Sequence, residues 1–299
     1  MVMAWVSDTS GSAMRLSPVY CTCDLRDAEQ QPLPGIAKHA DSAAARETDI
    51  SKCEGRGMNR KSYLRASARW LAAGVGVTAA AYGAYVGMTW YRYGDAAPPS
   101  PEEQDPLLDR FMPSYDVAER HHVRIAAPAA VTLAAAQEME LLHSPCVRMI
   151  IKGRELILGA RPDDRRGPRG LLAEVQSLGW GVLAEVPGRE IVVGGVTKPW
   201  EANPTFRALP PDEFQGFCEH DYVKIVWTLR ADPVGTAESI FRTETRVITT
   251  NPAARAKFRR YWSFLSPGII LIRWVSLRPL KAEAERRARQ TSEFDMANK

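Results

Sequence analysis

The chain carries, near its C-terminal end, the segment Asn251–Arg289, NPAARAKFRR YWSFLSPGII LIRWVSLRPL KAEAERRAR, which has the pattern of one long helix. Asn251 is a suitable N-cap because its side chain accepts from the free N–H groups of the first turn, and Pro252 needs no N–H at the next position. The apolar residues then recur every three or four positions: Phe258, Tyr261, Trp262, Leu265, Ile269 and Ile272. The pair Pro267-Gly268 predicts a kink inside the helix, because the apolar spacing resumes directly after it.

Two alternating segments upstream predict strands that this helix covers. They are Tyr222–Arg230 and Ser239–Thr249, separated by the predicted turn Asp232–Gly235. In the second strand the residues divide between two faces: Arg242, Glu244 and Arg246 on one, and Phe241, Thr243, Thr245 and Val247 on the other. We expect the charged face to lie in water and the other face to lie under the long helix.

The remaining elements are predicted from turn residues and apolar spacing. A hairpin joins Trp180–Val186 to Ile191–Thr197 through Pro187-Gly188, and further strands are predicted at Tyr115–Ile125 and Thr205–Leu209. Helices are predicted over Ala126–Leu142, Pro145–Leu158 and Leu171–Leu178, with Arg161–Gly170 as an exposed loop. The sequence therefore predicts an α+β fold in which an antiparallel sheet wraps on a long C-terminal helix.

Three segments carry a resemblance to a known family: Ala184–Gly194 (AEVPGREIVVG), Phe241–Val247 (FRTETRV) and Ala256–Trp262 (AKFRRYW). Together with the order of elements, residues 107–290 resemble the helix-grip fold of the START/SRPBCC superfamily, which includes polyketide cyclase-like and lipid-transfer proteins. The sequence departs from that pattern in having five or six strands where seven are usual. The loop Arg161–Gly170 also enlarges the helical part of the sequence.

The resemblance implies a pocket between a curved sheet and the closing helix, suited to an apolar small molecule or lipid. Apolar pockets with a few polar groups are the usual sites for small molecules. We expect the ligand-binding residues to be Trp227, Phe241, Thr243, Thr245, Trp262, Leu265 and Ile269. The alternative, in which these residues only form a packed core, stays open at this point.

An apolar run precedes this domain. Trp70–Tyr91 contains 22 residues without a charge, and as a helix it is about 33 Å long, enough to cross a hydrocarbon core of roughly 30 Å. Trp70, Trp90 and Tyr91 stand at its ends, where aromatic rings prefer the membrane interface. We interpret the run as a transmembrane helix; a buried soluble helix and a cleaved signal peptide are the alternatives.

The charges around this run predict its orientation. The basic flank 58–69 includes Arg60, Lys61, Arg65 and Arg69, whereas the segment 92–106 is an acidic, Pro-rich linker. By the positive-inside rule, the protein is a single-pass protein of the cell membrane with a cytoplasmic N-terminus and its C-terminal domain on the outer side. Gly83 and Gly87 form a small-xxx-small pair through which two copies can form a homodimer.

Two further predictions concern the ends of the chain. Residues 1–57 show no sustained period and are predicted to be disordered, as is the tail 291–299. Because Met58 opens the basic flank and the apolar run, we hypothesise that translation starts there.

The sequence gives little reason to expect chemistry. A net charge of +4 with scattered basic residues provides no nucleic-acid surface. Phosphate-binding, dinucleotide-binding, zinc-protease and hydrolase motifs are absent from the sequence, so we predict no cofactor, no metal site and no catalytic residue. His143 and Cys146 with His121 or His122 form only a weak metal pattern. Cys146 and Cys218 are expected to be free, buried thiols, although pairing stays open.

These observations favour a non-catalytic, membrane-tethered module that binds a lipid or other apolar small molecule. Two alternatives remain. One is a cyclase-like or dehydratase-like enzyme that uses a buried carboxylate such as Glu185 or Glu244. The other is a structural or interaction subunit of a membrane assembly.

Overall fold

The structure is a computed structural model that describes residues 60–160 and 169–297. The chain divides between Ala81 and Tyr82 into two compact units. The predicted disordered head, the start at Met58 and most of the predicted Arg161–Gly170 loop lie outside the described residues.

The described part contains seven α-helices and five strands. The helices are α1 (Arg60–Tyr91), α2 (Pro106–Asp109), α3 (Ala129–Glu138), α4 (Pro145–Leu158), α5 (Leu171–Ser177), α6 (Pro211–Phe214) and α7 (Pro252–Ala297). The strands are β1 (Val117–Ile125), β2 (Gly181–Val186), β3 (Glu190–Thr197), β4 (Val223–Val234) and β5 (Glu238–Thr249). A short 3-10 helix, Leu141–His143, lies between α3 and α4.

The five strands form one antiparallel sheet in the order β1-β5-β4-β3-β2. With α7 packed on one face, the chain has the predicted helix-grip α+β fold. The segment predicted as a strand at Thr205–Leu209 contributes only one isolated bridge, between Val196 and Arg207.

The predicted turn Asp232–Gly235 is wrong. Asp232 pairs with Ile240 and Pro233 with Ser239, so β4 continues to Val234 and the chain reverses at Gly235 with φ 73°. The pairing of β4 with β3 ends at Arg230, so the last residues of β4 have a partner strand on one side only. Pro233 is tolerated there because an edge position does not require its missing N–H.

The closing helix α7 begins as predicted. Asn251 Oδ1 accepts from the N–H of Ala254 at 2.7 Å. The helix continues through Pro267 and Pro279 to Ala297, beyond the predicted end at Arg289. Residues 291–297, predicted as part of a disordered tail, are therefore helical. The kink at Pro267 stays a prediction. On the inner face of the sheet, Trp227, Leu229 and Phe241 pack with Leu133 of α3 and Leu280 of α7.

The charged face of β5 was predicted to lie in water, and this is wrong. The side chain of Arg246 is 1% exposed and that of Glu244 is 6% exposed. Two short helices cover this outer face: Leu108 of α2 and Phe214 of α6 pack on the sheet with Val226. An alternating sequence shows that the two faces of a strand differ in polarity, but it does not show which face is exposed. A charged face can be buried when its charges form ion pairs with one another.

The segment 92–106, predicted to be a stiff linker, contributes to the same cover. Arg230 donates to the carbonyl oxygens of Glu102 (3.2 Å) and Gln104 (2.9 Å), and its side chain is 8% exposed. Asp105 caps α2 by accepting the N–H of Leu108 at 2.9 Å. These contacts hold the C-terminal part of the segment against the outer face of the sheet.

Candidate functional site

A cavity of about 240 Å³ lies between the inner face of the sheet and α7. Most of its lining is apolar: Met139, Leu141, Leu171, Val175, Trp180, Trp227, Leu229, Phe241, Ile269, Ile272, Leu277 and Leu280. Its polar lining residues are Thr243, Arg273 and Ser276. An apolar enclosure with a few convergent polar groups is the usual form of a small-molecule site.

The structure brings four of the seven predicted ligand-binding residues to this cavity. Trp227 and Phe241 lie on the sheet side together with Thr243, and Ile269 lies on α7. Thr245 does not line the cavity but accepts a hydrogen bond from Arg273, a lining residue, at 2.8 Å. Ligand binding by any of these residues stays a prediction.

Trp262 and Leu265 lie elsewhere on α7. Trp262 packs with Phe258, Val223 and Val247 in a separate core cluster near the start of the helix. Leu265 lines a groove between α4 and α7. The apolar spacing places both residues on the stripe of α7, but it does not say which turns of the helix face the hollow part of the sheet.

Arg273 is the functional candidate that sequence reasoning missed. Its guanidinium carbon lies 4.1 Å from the centroid of the Trp227 ring, and its Nη2 donates to Thr245 Oγ1. Burial lowers the pKa of Arg273 to about 10, although the charge of Glu119 opposes this effect. The signal in the sequence was a lone Arg four residues after Ile269 and four before Leu277, inside an otherwise apolar stripe.

Two more titratable groups of β1 lie on the same inner face. The register places Glu119 opposite Thr245 and His121 opposite Thr243. Burial raises the pKa of Glu119, whereas burial, and then the charges of Arg273 and His122, lower the pKa of His121. His121 Nε2 is buried and has no hydrogen-bond partner among the described residues. Arg273, Glu119 and His121 make this part of the inner face polar.

The two carboxylates proposed for an enzyme do not belong to the cavity. Glu185 is exposed on β2, an edge strand. Glu244 is buried, but it lies on the outer face and pairs with Arg120 (3.0 Å) and Arg246 (2.7 Å). Neither residue lines the cavity.

The cysteines and metal ligands can be compared with the predictions only over the described residues. Cys146 and Cys218 are free, as expected, but Cys146 is only half-buried and Cys218 is exposed. Within residues 60–160 and 169–297, no group of three His, Cys, Asp or Glu side chains could hold a metal ion. His121 is half-buried on the inner face and His122 is exposed, so the two side chains point to opposite faces as predicted.

Helix α1 contains the segment Ser67–Tyr91, which is long and apolar enough to cross a membrane. Its last part contacts α7: Tyr82 Oη donates to the carbonyl oxygen of Phe264 at 2.6 Å, and Arg259 donates to that of Trp90 at 2.9 Å. Gly83 and Gly87 are exposed, and no atom of the described chain lies within 4 Å of a Cβ added at either position. The predicted pairing face is therefore free of intramolecular contacts with those residues.

No protein-family model and no curated protein matches the sequence. Among solved structures, the fold is similar to a norcoclaurine synthase mutant from Thalictrum flavum with a transition-state analogue (9% identity, TM-score 0.28, covering 57% of this chain and 95% of that chain). It is also similar to a START superfamily protein from Mycobacterium smegmatis (14% identity, TM-score 0.26, covering 58% of this chain and 98% of that chain). A third similar structure is the aromatase/cyclase Zhui from Streptomyces (13% identity, TM-score 0.19, covering 57% of this chain and 94% of that chain). At these TM-scores the likenesses support no statement about activity, and the fold assignment depends on the chain's own topology and packing.

Proposed function

We propose that this protein is a membrane-tethered binding module that holds one compact apolar molecule between its sheet and α7, without turnover. The observation that carries the proposal is the cavity of about 240 Å³ with its almost wholly apolar lining. Protein interiors are close-packed, and an apolar hollow of this size with a few polar groups is the usual form of a small-molecule site.

The size of the cavity narrows the class of ligand. Its volume lies just below the roughly 300–1,000 Å³ of typical small-molecule pockets. At about 30 Å³ for each water-sized group, it holds roughly eight such groups. This space suits a single short acyl chain or a compact ring system.

The lining also argues for binding over catalysis. The described residues of the cavity wall include no carboxylate, no His and no Cys, and their polar groups are Thr243, Arg273 and Ser276. Proton transfer needs a titratable group within hydrogen-bond reach of the reacting atom. A wall of this composition can hold and orient a ligand, but it has no general base.

The tether is α1. Its segment Ser67–Tyr91 meets the length and polarity requirement for a membrane span. We propose that it anchors the chain with its basic N-terminal flank in the cytoplasm and the helix-grip domain on the opposite side, as the distribution of Arg and Lys favours.

The experiment that tests binding is native mass spectrometry of the full-length chain, purified in a mild detergent, followed by organic extraction. We expect recovery of an apolar compound in a fixed ratio to protein. Ser276→Leu fills the cavity from α7 and should prevent recovery, whereas the exposed control Arg278→Leu should leave it unchanged. Repeated recovery of an empty wild-type protein would refute the proposal.

A proton-transfer enzyme remains the second candidate, because burial raises the pKa of Glu119 on the inner face near Arg273. Incubating the extracted compound with fresh protein separates the two functions. The binding module leaves its mass and structure unchanged. Conversion that is lost in Glu119→Gln would favour the enzyme.

A further inference from the structure

The position of Arg273 points to a particular class of ligand. Resting on the proposed function, we propose that the cavity binds an apolar molecule with one carboxylate, and that Arg273 is the residue that pairs with this carboxylate. The first support is the environment of Arg273, a cation in a wall that otherwise offers two hydroxyl groups and apolar side chains. A cation in apolar surroundings is costly unless an anion pairs with it.

The second support is the unused hydrogen-bonding capacity of Arg273. Among the described residues its guanidinium makes one hydrogen bond, to Thr245, and the acid whose charge acts on it, Glu119, makes no hydrogen bond to it. By contrast, Arg230, Arg242 and Arg246 on the outer face all form ion pairs. An Arg side chain has five N–H donors in a planar fork that matches the two oxygens of a carboxylate.

The third support is the way Arg273 is held. Its guanidinium stacks on Trp227, and Trp227 Nε1 in turn donates to Thr243 Oγ1 at 2.6 Å. Stacking and the bond to Thr245 fix the plane of the fork before a ligand arrives, so less conformational freedom is lost on binding. Glu119 is the nearest acid on this face and partly offsets the charge of Arg273. Its removal should therefore strengthen binding of an anion.

The test compares two probes of equal chain length, octanoate and octanol. The full-length chain is reconstituted in nanodiscs of uncharged lipid, and affinity is measured by titration calorimetry against empty nanodiscs. We expect wild-type protein to bind octanoate at least tenfold more tightly than octanol. Arg273→Met should abolish this preference while octanol still binds, Arg273→Lys should restore it in part, and Glu119→Gln should increase octanoate affinity a few-fold.

The outcomes separate this inference from the proposed function. Equal affinity for the two probes, or an unchanged preference in Arg273→Met, overturns the assignment of Arg273 and leaves an apolar binding module. Failure of both probes to bind the wild-type protein counts against the proposed function itself. The exposed control Arg278→Met must retain the wild-type preference, since its loss would show a general effect of charge on α7.

Discussion

The two faces of the sheet use arginine in opposite ways. On the outer face, Arg246 Nη1 donates to Asp109 (2.6 Å) and to the carbonyl oxygen of Met112 (2.8 Å), and its Nε donates to Glu244 (2.7 Å). On the inner face, the guanidinium of Arg273 contacts the Trp227 ring and donates one hydrogen bond, to the hydroxyl group of Thr245. The outer face is closed by ion pairs, whereas the inner face keeps a cavity beside a cation that forms no ion pair with the described residues. We therefore expect the outer face to contribute more to stability and the inner face to be the one that binds a ligand.

The largest effect is expected from breaking the outer network. Arg246→Met leaves Glu244 with Arg120 as its one ion-pair partner and removes the donor to Asp109 and to the carbonyl oxygen of Met112. Removing one member of a buried ion pair costs about 3–5 kcal/mol. Chemical denaturation of the full-length chain measures this loss. Arg273→Met should cost less than Arg246→Met on the same assay, because it removes one hydrogen bond, to Thr245, and one ring contact, to Trp227, but no ion pair with a described residue. Equal losses for the two variants would contradict the contrast between the faces.

The next effect concerns the helix that covers the outer face. Leu108 is completely buried in α2, between Phe111, Phe214 and Val226. Leu108→Ala should lower the free energy of unfolding by about 2–5 kcal/mol, because it leaves a cavity in a packed cluster. The neighbouring Leu107 is half-buried at the edge of the same cluster, so Leu107→Ala should cost clearly less than Leu108→Ala. Similar values for both would show that α2 does not cover the sheet.

The outer face should also make stability depend on pH. Burial, together with the neighbouring Asp105, raises the pKa of Glu190 to about 8 from its ordinary 4.5. Between these values the folded chain keeps a proton that the unfolded chain releases, so stability falls as the pH rises, by at most about 1.4 kcal/mol per pH unit. Above pH 8 this contribution stops changing. Glu190→Gln should remove that part of the slope in denaturation curves collected from pH 5 to 9, and an unchanged slope would refute the assignment.

The smallest effect on stability should come from filling the inner cavity. Ser276→Leu adds apolar volume to a hollow and should change the free energy of unfolding by less than about 1 kcal/mol, while it removes ligand binding. The same kind of change on the outer face, Thr228→Leu, should destabilise by about 1–3 kcal/mol, because the site is packed and Thr228 donates to Glu190 at 3.0 Å. A large loss in Ser276→Leu would show that the inner face is as tightly packed as the outer one.

Some of these features could be read from local patterns alone. Asn251 and Pro252 begin α7. Helix α4 begins at the N-cap Ser144 and ends at Gly159, which has the left-handed conformation. Such helix ends can be predicted because caps depend on a few neighbouring residues. The alternation of β4 and β5 identified both strands and the two faces of each. The predicted apolar faces also identified four residues that line the cavity: Trp227, Phe241, Thr243 and Ile269.

The sequence by itself determined the kinds of elements, their order and the polarity of each face, because these depend on side-chain types at fixed spacing. Tertiary structure alone decided which faces are covered. The segment around Asp105 returns to cover Arg230 and Arg246, so residues with the composition of a surface lie in the interior. It also decided that Arg273 lies at a cavity while Trp262 does not, since the distance from helix to sheet depends on every side chain packed between them.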